Sequence, residues 1–247
     1  MAITTSRAIS MADFAEQINP GTLAEARRAE FRQAARVHGS WLAAAEKRAL
    51  VWMAERMPAW VNSDHLTLLG FAAQTATGIC YALAARDPRM LLLGIICLAV
   101  NWFGDSLDGT LARVRQQQRP RYGFYVDHMV DSIGAVAMMG GLALSGYMHP
   151  VIAIGLLIAF LLLSIQSYLA TYTLGEFHLS FWRFGPTELR VLLAVGNLAL
   201  LRWAWVIHGR YRLFDIGGTI GLAGMILMLI FFGLQNTLRL YREERIR

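Results

Sequence analysis

Apolar and polar positions alternate along this chain on two different length scales. The first 65 residues carry 15 charged side chains, and the remaining 182 carry 25. Past Asp64 the chain falls into six apolar segments, about Leu66–Ala85, Met90–Leu111, Phe124–Met148, Val151–Thr173, Leu189–Ile207 and Ile216–Leu238. Each is near the roughly 20 residues that a helix needs to cross a bilayer. Turn signals at Asp87-Pro88, Arg119-Pro120, His149-Pro150, Gly185-Pro186 and His208-Gly209 separate them. The pattern predicts an all-α, polytopic integral membrane protein with six transmembrane helices over residues 63–247. Before it, residues 1–62 form a helical segment on the membrane surface. There Leu23 to Val37 is rich in helix formers, and Ser40 to Met57 places Trp41, Ala45, Ala49 and Trp52 at helical spacing, with Leu50 and Val51 off that stripe. No basic stretch leads into an apolar core and cleavage site, so the start does not read as a secretory signal.

Composition agrees with the segments. Of 247 residues, 56% are hydrophobic and 16% charged, which excludes a disordered chain and disfavours a soluble enzyme. Cys80 and Cys97 lie in apolar stretches and read as small hydrophobes. The net charge of +6 comes from basic residues that punctuate apolar runs, a pattern of membrane orientation and not of nucleic-acid binding. Scored by side, 18 Lys and Arg fall on the face that holds both termini and 5 on the other. Both termini are therefore expected in the cytoplasm.

Four carboxylates break the apolar pattern. Asp105 and Asp108 stand near the end of the second segment, Asp127 and Asp131 near the start of the third. Ionisable groups at such depth are costly and usually functional. Spacings of three and four put each pair on one helix face. The short basic connection makes the two segments antiparallel neighbours, so both pairs sit at similar depth near the cytoplasmic surface. Four converging negative charges call for hard divalent cations held by oxygen, and two of these can clamp the attacking and leaving oxygens of a phosphoryl transfer.

The run from Asp105-Ser106-Leu107-Asp108-Gly109-Thr110-Leu111-Ala112-Arg113 to Gly123-Phe124-Tyr125-Val126-Asp127-His128-Met129-Val130-Asp131 resembles the signature of the CDP-alcohol phosphotransferases, with eight identities fixed over 27 positions. The resemblance implies that Asp105, Asp108, Asp127 and Asp131 hold two divalent cations, Mg²⁺ or Mn²⁺, and that Asp131 is also the general base. It implies a CDP site with Thr67, Asp105, Gly109, Ala112, Arg113 and Gly123. Ser63-Asp64-His65-Leu66-Thr67 resembles the family's Pro-Asn-x-apolar-Thr entrance, with Thr67 kept and Ser63 and Asp64 substituted. Asp64 can accept from a cytosine amino group, or Ser63 or Asp64 can simply cap the helix.

Arg183 and Arg190 flank the start of the fifth segment, where they are candidates for binding an acceptor phosphate or merely follow topology. Thr187 and Glu188 read there as N-cap and first-turn acid. Gln166, Ser167, Tyr168 and Tyr172 give the fourth segment a polar face. The implied reaction is phosphatidyl transfer from CDP-diacylglycerol to a small polar alcohol with release of CMP. Candidate acceptors are glycerol 3-phosphate, inositol phosphate and serine, and a phosphorylated one is favoured. A homodimer in a bacterial inner membrane, with cytoplasmic active site and membrane-lipid partners, completes the expectation. Two alternatives remain: transfer of a soluble CDP-linked headgroup to diacylglycerol, and a cation or proton transporter. Against the second, Met90–Val100 and Ile133–Leu144 offer no polar path across the membrane.

Overall fold

A computed structural model describes residues 43–174, 185–206 and 209–245. Among these residues, seven helices follow one another: α1 (Ala43–Arg56), α2 (Ser63–Ala84), α3 (Met90–Val114), α4 (Pro120–Leu144), α5 (Pro150–Leu174), α6 (Pro186–Arg202) and α7 (Leu213–Glu243). The helix expected over Leu23 to Val37, with Trp41 and Arg183, lies outside the described residues. Helices α2 to α7 coincide with the six apolar segments. Four of them, α2, α3, α5 and α7, are long and apolar enough to cross a membrane. Of the other two, α4 carries Arg121, Asp127 and Asp131, and the 17 residues of α6 reach about 26 Å against a hydrocarbon core of about 30 Å. The protein is thus an all-α membrane protein by its helices. One small departure is an antiparallel hairpin of β1 (Trp205–Val206) and β2 (Tyr211–Arg212) between α6 and α7, which ends the fifth segment early.

Helix α2 is the central post, packed along α3 on one side and α4 on the other. Glycines make those contacts close. A Cβ on Gly104 would stand 2.6 Å from the Gly70 nitrogen, and one on Gly78 would stand 2.2 Å from the Ala137 carbonyl oxygen. In lipid, where apolar burial gives helices little reason to associate, such backbone approach supplies the dispersion contacts that hold them. Helix α5 packs against α4 and α7, and α6 against α3. Tyr81, Leu91, Leu98, Met138, Leu142, Ala153, Leu200 and Phe214 form the buried core between them. Within it the Tyr81 hydroxyl donates to Asn197 Oδ1 at 3.1 Å. Outward, Leu144 is 72% exposed and Leu227 68%, an apolar exterior suited to lipid and not to water.

Helix α1 is folded onto the protein. Leu50 and Ala54 are buried in a second cluster with Val61, Leu66, Leu107 and Leu111. Leu50, off the predicted stripe, therefore makes the protein contact together with Ala54, while Ala45, Ala49 and Trp52 stay exposed. Arg115, just after α3, donates to the carbonyls of Met57 (2.8 Å), Pro58 (2.9 Å) and Val61. It thus satisfies acceptors that a helix end leaves unpaired.

Candidate active site

The site forms where the N-terminal turns of α2, α4 and α6 meet the C-terminal half of α3. Helix α2 starts at neither predicted cap: Asn62 Oδ1 accepts from the His65 amide at 3.0 Å, and His65 Nδ1 accepts from the Asn62 amide at 3.3 Å. Ser63 and Asp64 are thereby released for other partners. The Ser63 hydroxyl donates to the Asp108 carbonyl at 2.6 Å, tying the start of α2 to α3. Asp64 pairs with Arg119, which precedes α4 and lies over the Tyr122 ring at 4.2 Å. That hydrogen bond favours the charged guanidinium and raises the Arg119 pKa.

Asp105, Asp127 and Asp131 each bring one carboxylate oxygen within 4.8 Å of the others. Oxygens on opposite sides of a hard cation lie about 4–5 Å apart, so both the donor type and the spacing suit a divalent ion. Asp108 faces α2: its Oδ2 accepts from the Thr67 hydroxyl at 2.7 Å and its Oδ1 from the Gly109 amide. Asp105, Asp108, Asp131, Thr67, Gly70 and Asn101 line one cavity of about 10 Å³, the room of about one water. The convergence expected of the two carboxylate pairs is present, with Asp108 one step aside from the tightest trio.

Around this cluster the structure sorts the remaining candidates. A Cβ on Gly123 would meet nothing within 4 Å, and one on Gly109 would meet only the guanidinium end of Arg113, at 3.4 Å. Neither glycine is needed for helix packing. Arg113 donates to Thr110 Oγ1 at 3.0 Å, and Ala112 lies half-buried beside it. Tyr168 sits edge-on to His128 and Phe124, with centroids 5.0 and 6.1 Å away. It thereby puts the polar face of α5 against the Asp127–Asp131 stretch, whereas Tyr172 is 90% exposed.

Arg190 does more than mark a helix end. Its Nη2 donates to Asp105 Oδ2 at 2.5 Å and its Nε to Asn101 Oδ1 at 2.7 Å, and Asn101 Nδ2 donates to the Gly70 carbonyl at 2.9 Å. Asn101 escaped the sequence reading, although it is an amide one helical turn before Asp105 in an otherwise apolar run, which is a usable signal. Nor is Thr187 the N-cap of α6. Gly185 holds that place, its amide donating to Glu188 Oε2 at 2.9 Å, with Pro186 as the first helical residue. The Thr187 hydroxyl instead reaches Glu46 of α1 at 2.7 Å.

Fold and site together define an all-α membrane protein with an acidic, oxygen-rich cluster at one end of an apolar helix bundle. The family model of the CDP-alcohol phosphatidyltransferases matches residues 60–233, and the chain belongs to that family. That family is one of transferases that generally depend on divalent metals, and the aspartate cluster could bind a metal. No curated protein matches the chain.

Proposed function

We propose that the protein transfers a phosphatidyl group from CDP-diacylglycerol to a small polar alcohol and releases CMP. The observation that carries this reading is the meeting of the Asp105, Asp127 and Asp131 oxygens within 4.8 Å at one end of an apolar bundle. A lipid donor can enter there with its tails in the bilayer and its headgroup at the carboxylates.

Asp105, Asp108, Asp127 and Asp131 would hold two divalent cations, Mg²⁺ or Mn²⁺; a carboxylate offers about four lone-pair sites, so Asp108 can keep Thr67 and still bind metal. When bound, the ions neutralise charge on the pyrophosphate and on leaving CMP. Asp131 takes the proton of the acceptor hydroxyl at a carboxylate oxygen. The hydroxyl oxygen forms a bond to the lipid-bearing phosphorus as the bridging P–O bond to CMP breaks. Thr67 orients Asp108, while Gly109, Ala112 and Gly123 leave room for the nucleotide beside Arg113. Arg190, within reach of the cluster, is the cation for a phosphorylated acceptor, such as glycerol 3-phosphate or inositol phosphate, with Arg183 as its partner. The charge bias supports cytoplasmic termini and active site in a bacterial inner membrane, and the resemblance supports a homodimer. Residues 63–247 form the catalytic unit to which residues 1–62 are attached.

The test uses purified chain, CDP-diacylglycerol, Mg²⁺ or Mn²⁺ and a panel of alcohols, with CMP and lipid product measured. Chelation abolishes turnover, and Asp131→Asn lowers it about 10²–10⁴-fold with helix content unchanged. Full activity in both Asp105→Asn and Asp131→Asn would overturn the reading. Product only from a soluble CDP-linked headgroup and diacylglycerol would reverse the roles of the lipid and soluble substrates.

A further inference from the structure

Glu46 lies in α1, outside the stretch that matches the family, yet it reaches both helices that hold the Arg190 bridge. Its Oε1 accepts from Trp102 Nε1 of α3 at 2.7 Å and from Thr187 Oγ1 of α6 at 2.7 Å. Trp102 is next to Asn101 and three residues before Asp105, and Thr187 is three residues before Arg190. On a helix, three residues is about one turn, so Glu46 ties α3 to α6 one turn away from the place where Arg190 joins Asn101 and Asp105. The helix carrying Glu46 is itself fixed, by the burial of Leu50 and Ala54 against Leu107 and Leu111 and by Arg115 on the carbonyls that follow it.

We propose that Glu46 is a positioning residue, which holds α6 at the register where Arg190 bridges Asn101 and Asp105. The segment ahead of the catalytic helices thereby sets how strongly a protein cation competes with metal for Asp105. The Mn²⁺ part of the test rests on the metal-dependent reading proposed above.

Mn²⁺ affinity is measured on the full-length protein in nanodiscs by electron paramagnetic resonance, together with amide exchange at Leu189 and Arg190. Arg190→Ala, which removes a positive charge and frees Asp105, tightens Mn²⁺ binding by about tenfold. Glu46→Ala tightens it by a similar factor, adds nothing in the Arg190→Ala background, and lowers protection of the α6 first turn by about tenfold. Glu46→Gln keeps the accepting oxygen and stays within about twofold of wild type in both readouts. Thr187→Val, which leaves α1 untouched, moves both readouts in the direction of Glu46→Ala, so the proposal stays testable should Glu46→Ala fold poorly. Wild-type behaviour of Glu46→Ala, or an equal Mn²⁺ shift with and without Arg190, overturns the proposal. If the wild type binds no Mn²⁺, the proposed Mn²⁺ site falls and the exchange data alone decide: lost protection in Glu46→Ala that Glu46→Gln restores supports the tie, and unchanged protection rejects it.

Discussion

Gly123 and Gly109 differ from the glycines at the helix crossings in what surrounds them. Around Gly123 there is open space, and beside Gly109 only the guanidinium end of Arg113. Substitution by alanine at Gly123 removes a flexible residue from a helix, which is neutral or favourable by up to about 1 kcal/mol. Gly123→Ala is therefore expected to keep or raise the thermal midpoint, while the KM for the CDP donor rises about tenfold because the methyl enters the space that the proposed function gives to the nucleotide. Unchanged kinetics would remove Gly123 from the nucleotide site. The same local view explains a misplaced cap. Asn62, Ser63 and Asp64 can each cap a helix, so adjacent choices are nearly equal in sequence. The choice falls to Asn62 because Asp108 and Arg119, 45 and 55 residues away, engage the other two.

At the scale of elements, the site depends on three helices approaching more closely than side chains allow. The would-be Cβ of Gly78 meets the Ala137 backbone at 2.2 Å, whereas that of Gly140, also on an apolar face, meets nothing within 4 Å. Backbone cannot swing aside as a side chain can, so α2 and α4 must separate. Gly78→Ala is expected to destabilise the protein by about 1–3 kcal/mol and to loosen Mn²⁺ binding as Asp127 and Asp131 move from Asp105. Gly140→Ala is expected to leave Mn²⁺ binding unchanged and to keep or slightly raise stability. Detergent-solubilised unfolding curves with metal titration check both variants, and equal behaviour of the two would refute a packing role for Gly78. The helices themselves were legible because bilayer-length apolar runs and Pro or Gly breaks are local signals. Which small residues are crossings was not, because Gly78 and Gly140 look alike until their neighbours are known.

At the scale of the whole molecule, α4 and α6 are less apolar or shorter than the four helices that are long and apolar enough to cross a membrane. Helix α4 can still cross because Asp127 and Asp131 turn toward Asp105. If it does, a cysteine at exposed His149 faces the side opposite to one at exposed Gln117. A membrane-impermeant maleimide is expected to label His149→Cys from outside and Gln117→Cys only after permeabilisation. Labelling of both from one side would make α4 a surface helix.

The sequence by itself determined the helices past residue 62, their order, and the two carboxylate pairs on helix faces, because hydrophobic length and the 3.6-residue period act within one segment. It also carried the family signature, which lies within 27 consecutive positions. Tertiary structure alone decided that Asp108 leans on Thr67 while Asp105 meets Asp127 and Asp131, that α1 docks on the face opposite to its predicted stripe, and that Glu46, Thr187, Arg190 and Asn101 form one linked set. Those contacts join residues up to 141 positions apart. No local periodicity encodes them, because they arise only when close glycine crossings fix how the helices stand against one another.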